Sequence, residues 1–172
     1  LYIRLNVNAP QAQTQGLKMG KIAGLKPSSN NSSLTDSAIQ MLKCIGIKKP
    51  NSLHSFGSSN KEDFASFGPF IVVLDGHIYN TEDFPSSSKE QTDSERILES
   101  LQKISLRETL AKINGDFAIA IFNKQTECLT LARDRFGIKP LYYSSTEGNT
   151  GFASSIQSLL YLSFVSKSIN PS

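Results

Sequence analysis

The feature that most constrains the fold is a series of three strand patterns joined by very short connections. The patterns cover residues 117–122, 127–132 and 141–143, and a tight turn at residues 123–126 joins the first two. A connection between parallel neighbours needs a dozen or more residues, whereas antiparallel neighbours need only a few. We therefore expect the three strands to be antiparallel neighbours, which favours an α+β fold over alternating βα units.

Two helices are predicted immediately before these strands, and each begins with a capping box. In a capping box, a hydroxyl side chain and a Glu three residues later satisfy each other's free backbone N–H groups. Thr92 with Glu95 marks the first helix, and Ser105 with Glu108 marks the second, which Gly115 ends. Apolar residues recur at helical spacing after both boxes, so each helix has one face to bury.

The remaining elements are predicted from apolar runs bounded by Gly, Pro and Ser. Strands are expected at residues 21–25 and 151–153, and helices at residues 34–45 and 155–162. The stretch 49–66 is rich in Ser, Asn and charge and is interpreted as a loop. Together these elements give two antiparallel sheets with helices segregated around them.

The dipeptide Asp75-Gly76 predicts a hairpin turn. It follows a buried strand pattern at residues 70–74 and precedes a short run at residues 77–79 that suits the returning strand. Gly accepts a positive φ without steric cost and Asp tolerates it, which is why this pair is common in two-residue turns. A hairpin alone accounts for both residues, with no catalytic role.

The composition excludes several classes of protein. A chain of 172 residues is long enough for one domain with a packed core. The formal net charge of +3 comes from scattered Lys and Arg rather than from a basic block, so we expect no nucleic-acid partner. No apolar run approaches the roughly 20 residues that a membrane helix needs, so we expect no membrane association.

Cysteine usage and the chain ends give weaker expectations. Cys44 and Cys128 lie far apart and in no metal-binding spacing, so no metal site is expected. The alternating run around Cys128 predicts a buried thiol, and free thiols suit a reducing compartment such as the cytoplasm. Residues 1–18 are interpreted as an amino-terminal extension, residues 19–166 as the domain, and residues 167–172 as a linker.

One block is specific enough to indicate a family. Residues 133–143 read Arg-Asp-Arg-Phe-Gly-Ile-Lys-Pro-Leu-Tyr-Tyr, and matching runs lie at residues 75–80, 92–95, 115–122 and 151–156. This combination resembles the amino-terminal glutaminase domain of asparagine synthetases, a class II glutamine amidotransferase of the Ntn-hydrolase superfamily. The resemblance implies an αββα four-layer sandwich, in which helices flank two antiparallel sheets.

The resemblance places a glycine at the family's nucleophile position. Residues 19–25 line up with the family's opening Met-Cys-Gly-Ile-Ala-Gly-Ile, so Gly20 stands where the nucleophilic Cys belongs. Hydrolysis there needs a thiol or hydroxyl on the first residue and that residue's free α-amine as base. Gly20 has neither and is preceded by other residues, so we expect it to be only a turn glycine before a strand.

The resemblance also assigns oxyanion and substrate positions. Asp75 replaces the family's Asn, and as a carboxylate it offers only acceptors, while Gly76 keeps the backbone N–H of the oxyanion site. Asp93 matches the carboxylate that pairs with the α-amino group of glutamine, and it can equally be a first-turn acid of its helix. No Arg lies between Leu5 and Arg96, so the family's carboxylate-clamping Arg has no counterpart.

The block that carries the resemblance is expected to play a structural role. In the family it is a strand exit, so ion pairs of Arg133, Asp134 and Arg135 would brace the sheet and the junction with the next domain. Gly137 and Pro140 fit that role as turn formers.

Three functions remain open. The first is a glutaminase-like domain of an asparagine-synthetase-like, ATP-dependent amide-forming enzyme, without glutamine hydrolysis, as in the related β-lactam synthetases that lack the Cys. The second is a ligand-sensing or scaffold module. The third is an active amidotransferase that supplies ammonia for asparagine synthesis after processing exposes Cys44.

The first function implies partners rather than a cofactor in this chain. The sequence contains no Ser-Gly-Gly-x-Asp pyrophosphate loop, so ATP and Mg would bind only to a following synthetase domain. The partners expected are that synthetase domain, glutamine, and a second copy in a homodimer.

Overall fold

The computed structural model describes residues 21–28, 32–44, 55–59, 63–88 and 90–167. The predicted extension at residues 1–18, Gly20 and all but the first residue of the predicted linker lie outside the described residues. The elements in chain order are β1 (Ile22–Lys26), α1 (Ser32–Cys44), β2 (Ser55–Ser58), β3 (Phe64–Phe67), β4 (Phe70–Ile78), a 3-10 turn (Thr81–Asp83), α2 (Asp93–Lys103), α3 (Leu106–Lys112), β5 (Gly115–Asn123), β6 (Cys128–Arg133), β7 (Tyr142–Thr146), β8 (Asn149–Ala153) and α4 (Ile156–Leu159).

The strands form two four-stranded sheets. The first has the order β2-β1-β8-β7 and the second the order β3-β4-β5-β6, and neighbouring strands are antiparallel in both. Helices α1 and α4 cover the outer face of the first sheet, and α2 and α3 cover that of the second. The inner faces pack on each other. The αββα sandwich implied by the resemblance is therefore confirmed.

Strand β5 shows how the sequence makes these layers. Successive side chains of a strand point to opposite faces. Phe117, Ile119 and Ile121 accordingly pack against α2 and α3, while Ala118 and Phe122 pack between the sheets. Both faces are apolar because both are covered, which is why β5 is a continuous hydrophobic run.

Both capping boxes are confirmed. Thr92 Oγ1 accepts the N–H of Glu95 while the Glu95 carboxylate accepts the N–H of Thr92, and Ser105 and Glu108 do the same for α3. These signals succeed because the capping contacts are local in sequence.

The hairpin predicted at Asp75-Gly76 is wrong. Strand β4 continues through both residues, with Asp75 opposite Ala118 and Gly76 opposite Phe117 in an unbroken register with β5. The nine-residue strand β5 offers a partner along this whole length, so tertiary pairing overrides the local turn preference.

The loop predicted at residues 49–66 is wrong where β2 and β3 lie. Both are four-residue strands, and each pairs with only one neighbour in its sheet. A short edge strand can be held by a single buried apolar side chain, here Phe56 in β2 and Ala65 in β3. Such strands lack the alternating pattern on which the prediction depended.

The third strand of the opening series belongs to the other sheet. Strands β5 and β6 are antiparallel neighbours as predicted, but β7 pairs with β8. Residues 134–141 lie between β6 and β7, and they span the roughly 10 Å between packed sheets, with Leu141 buried between them.

Two smaller expectations also fail. Cys128 is exposed, because it is the first residue of an edge strand, and the predicted helix at residues 155–162 is regular only over Ile156–Leu159. Within the described part of the chain, the helices are all too short or too polar to cross a membrane.

Candidate functional site

Asp75 is a buried carboxylate in the middle of a sheet. It lies on β4 and is 1% exposed. Its neighbours two and four positions earlier, Val73 and Ile71, point between the two sheets, so Asp75 points there as well. A charge in this layer is costly unless it is paired.

Lys139 and Ser154 provide that pairing. The Lys139 Nζ lies 3.1 Å from Asp75 Oδ1, and the side chains are 14% and 2% exposed. The contact is an ion pair without a well-directed hydrogen bond, since Oδ1 meets no donor of suitable angle among the described residues. Ser154 Oγ donates to Asp75 Oδ2 over 3.2 Å. Burial raises the pKa of the Asp75 carboxyl, and Lys139 and Ser154 oppose that rise.

The same network reaches the amino end of β1. Ser154 Oγ accepts the N–H of Ile22 over 2.9 Å, and the Ser154 N–H donates to the Ile22 carbonyl over 2.8 Å. Asp75 thus lies beside the start of β1, where the resemblance puts the nucleophile. The position of Gly20 itself is outside the described residues.

Gly76 is required by backbone geometry in a strand rather than in a turn. Its φ is 128°, a value that side-chain-bearing residues rarely adopt, and a Cβ there would overlap the carbonyl oxygen of Asp116 on β5. The glycine predicted for a hairpin therefore has a different structural reason. Its assignment to the oxyanion site remains a prediction.

Asp93 lies close to Gly76, and one of its carboxylate oxygens already accepts a backbone hydrogen bond. It is the first residue of α2, and its Oδ2 accepts the N–H of Ile78, two residues after Gly76, over 2.9 Å. His77 Nδ1 lies 4.0 Å from the same oxygen, and the His77 side chain is 83% exposed. The Asp93 side chain keeps 22% exposure, so part of its carboxylate faces solvent. Among the described residues, no group of three His, Cys, Asp or Glu side chains could hold a metal ion.

The block after β6 is braced by backbone hydrogen bonds. The buried Asp134 carboxylate accepts the N–H groups of Phe136, Ile138 and Lys139 at 2.9–3.1 Å. Burial by itself raises the pKa of Asp134, but these donors outweigh it, so that pKa lies below its ordinary value. The loop that presents Lys139 to Asp75 is therefore held by its own first residue.

The sequence predicts that Arg133 and Arg135 brace the sheet and the junction with the next domain through ion pairs. In the part of the chain that the structure describes, neither Arg133 nor Arg135 forms an ion pair. Gly137 has φ 67°, and a Cβ there would overlap the guanidinium of Arg133, which packs across the loop. Pro140 follows that loop and is half-buried. Within the described residues the block is braced by the hydrogen bonds of Asp134, and bracing of the junction with a next domain remains a prediction.

Sequence reasoning missed Lys139 and Ser154 as members of the site. Both lie in runs that carry the resemblance, but no spacing rule connects either of them to Asp75. The only signal was chemical, because a buried Asp needs a cation or donors that must come from elsewhere in the chain.

Comparisons with known proteins agree with this architecture. The sequence profile of the family described as "Glutamine amidotransferase domain" matches residues 61–172. The chain is 36% identical over 97 residues to the glutamine-hydrolysing asparagine synthetase 2 of Bacillus subtilis (strain 168), covering 54% of this chain and 13% of that protein. It is 35% identical over 97 residues to asparagine synthetase 1 of the same organism, covering 53% of this chain and 15% of that protein.

A solved structure shows the same fold. Glutamine phosphoribosylpyrophosphate amidotransferase from B. subtilis, complexed with ADP and GMP, superposes with a TM-score of 0.56 at 12% identity, covering 83% of this chain and 43% of that one. The chain spans less than a quarter of the length of its curated relatives, between 13% and 22% for three of them.

Proposed function

The chain belongs to the glutamine amidotransferase domain family, and from that premise we propose that it is the glutaminase-like domain of an asparagine-synthetase-like, ATP-dependent amide-forming enzyme and does not itself hydrolyse glutamine. The relationship to asparagine synthetases supports the kind of parent enzyme. The loss of hydrolysis is supported above all by the pairing of Asp75 with Lys139.

Because of that pairing, Asp75 offers no hydrogen-bond donor at the position assigned to the oxyanion site. The tetrahedral intermediate of amide hydrolysis needs N–H or O–H groups aimed at its negative oxygen, and losing one donor costs about a hundred- to a thousandfold in rate. An ionised Asp75 has no hydrogen to donate, and Lys139 favours the ionised form. Lys139 also offsets the repulsion that a free carboxylate would exert, so the missing donor is the larger defect.

The nucleophile is the second defect. The resemblance of residues 19–25 to the family's opening motif supports Gly20 as the counterpart of the Cys, and glycine has no thiol or hydroxyl to attack a carbonyl. Two independent requirements of the reaction are therefore unmet.

Processing at Cys44 is a poor alternative. Cys44 is the exposed last residue of α1, so exposing its amine would remove both β1 and α1. Strand β1 lies between β2 and β8, and α1 buries Ala38, Met41 and Leu42 against it. The cleavage would open the first sheet and its core.

A sensing module is the second candidate, and Asp93 favours it. Its partly exposed carboxylate beside Gly76 is suited to an ammonium group. The family's carboxylate-clamping Arg has no counterpart among residues 5–95, so the carboxylate of an amino acid would need a different partner.

The proposed parent enzyme implies partners outside this segment. Activation by ATP and Mg would belong to a synthetase domain, because this chain contains no pyrophosphate loop of the Ser-Gly-Gly-x-Asp type. The exposed thiols of Cys44 and Cys128 support a reducing, cytoplasmic setting.

We predict no detectable release of glutamate from glutamine by this chain, measured with the B. subtilis asparagine synthetase 2 as the active control. A missing nucleophile removes the covalent route rather than slowing it. Turnover near one per second, within the ordinary range of enzymes, would contradict the proposal. Calorimetric titration with glutamine on the same sample separates a ligand-sensing module from a pure scaffold, since only the sensing module gives a heat of binding.

A further inference from the structure

We propose that Lys139, acting through Asp75 and Ser154, is a positioning residue that fixes the amino end of β1. The inference deepens the proposed function and rests on it in one respect, since β1 follows the nucleophile position only if residues 19–25 correspond to the family's opening motif. The hydrogen-bond argument itself depends only on the contacts of these side chains and the backbone of Ile22.

The argument begins with the single hydroxyl hydrogen of Ser154. Ser154 Oγ lies within hydrogen-bond distance of Asp75 Oδ2 and of the Ile22 N–H. A backbone N–H can only donate, so Ser154 accepts from Ile22, and its own hydroxyl hydrogen is free to be donated to Asp75 Oδ2. An ionised Asp75 enforces this arrangement, because a carboxylate can only accept.

Lys139 keeps Asp75 in that acceptor state. Burial favours the neutral carboxyl, which would carry a hydrogen of its own and could donate it to Ser154 instead of accepting from it. The ammonium group 3.1 Å from Oδ1 favours the carboxylate instead. The charge of Lys139 thereby sets the direction of the whole series of hydrogen bonds, from Ile22 to Ser154 to Asp75.

The buried contact matters more than the surface contact beside it. Ser59 also holds the start of β1, because its Oγ accepts the Lys21 N–H over 2.9 Å and its N–H donates to the Lys21 carbonyl over 2.9 Å. That pair is exposed, so water can replace it at small cost. Ile22 is fully buried and Ser154 is 8% exposed, so water cannot readily replace their contact.

Hydrogen exchange at the Ile22 amide tests the inference on the full chain. In Lys139→Met, exchange of the Ile22 amide is expected to be faster by about tenfold or more, relative to the amide of Ile119 at the centre of β5. Lys139→Arg, which keeps a positive charge, is expected to restore slow exchange at least in part. Ser59→Ala is the matched control and should change the ratio little.

Two further variants and outcomes complete the test. Ser154→Ala leaves the ion pair in place and removes only its link to Ile22, so it should show the same acceleration even where Lys139→Met fails to fold. Equal acceleration at Ile22 and Ile119, or an Ile22 amide unchanged in Ser154→Ala, would overturn the inference. Glutamate release by the unmodified chain would overturn the proposed lack of hydrolysis and leave this result untouched.

Discussion

Replacing Lys139 with methionine is expected to lower the free energy of unfolding by about 3–5 kcal/mol at neutral pH. The substitution keeps the length of the side chain but leaves the Asp75 carboxylate, whose side chain is 2% exposed, without its counter-ion. An unpaired charge between two packed sheets has no solvent to compensate it. Urea unfolding followed by fluorescence or circular dichroism measures the change.

The matched control is a closer but exposed ion pair. Lys103 Nζ lies 2.7 Å from Glu99 Oε1, nearer than Lys139 to Asp75, but the Lys103 side chain is 55% exposed. Lys103→Met is expected to cost much less than Lys139→Met, because the Glu99 carboxylate that remains still accepts hydrogen bonds from Gln91 and Ser87. Similar losses in the two variants would show that the Asp75 pair is solvated.

The loss in Lys139→Met is expected to shrink as the pH falls. Burial raises the pKa of Asp75 from its ordinary value of 3.8, and removing Lys139 takes away a charge that holds the rise in check. A carboxyl whose folded-state pKa is raised contributes its stability below the unfolded pKa and loses it as the pH rises through the folded pKa. The variant therefore approaches the parent as the pH falls from about 7 towards 4. His77, the other titratable group whose charge acts on Asp75, is present in both proteins.

A double substitution separates the ion pair from the packing. Adding Asp75→Asn to Lys139→Met removes both charges at nearly constant volume, so the double variant is expected to be more stable than Lys139→Met alone. If the double variant were no more stable than Lys139→Met, the unpaired charge of Asp75 would not explain the loss, and the lost packing of Lys139 would remain as its cause.

The layered fold was predictable from the sequence to different depths. Local signals such as the Thr92 and Ser105 capping boxes gave the helix starts, because each depends on contacts within four residues. Short connections indicated antiparallel sheets, but they could not assign β7 to the first sheet, since residues 134–141 can either turn back or cross between layers. Only the family resemblance implied four layers.

The sequence predicted which residues form the candidate site but not which side chains contact them. The resemblance pointed to Asp75, Gly76 and Asp93, and the structure brings these three together at β4 and the start of α2. Ser154 lies 79 positions from Asp75, and their contact exists only because β4 and β8 belong to facing sheets. Nothing local in the sequence shows such a contact, so the sequence alone predicts no partner for the Asp75 carboxylate.

Gly76→Ala is expected to lower the free energy of unfolding by about 2–6 kcal/mol, as the sum of two costs. A side-chain-bearing residue at φ 128° costs about 1–3 kcal/mol in backbone strain. The added Cβ would also overlap the Asp116 carbonyl oxygen, and relieving such an overlap by shifting the backbone costs about another 1–3 kcal/mol. Urea unfolding measures the loss.

Gly68→Ala is the control that keeps the backbone strain but removes the steric overlap of the added Cβ. Gly68 also has a positive φ, 57°, but an added Cβ would meet no atom within 4 Å, so about 1–2 kcal/mol is expected. Equal losses at the two positions would mean that β5 moves aside freely opposite Gly76. A clearly larger loss at Gly76 would show that the fold alone requires this glycine. Its match to the family's oxyanion glycine would then be no argument for glutamine hydrolysis, because the fold would require a glycine at this position with or without that activity.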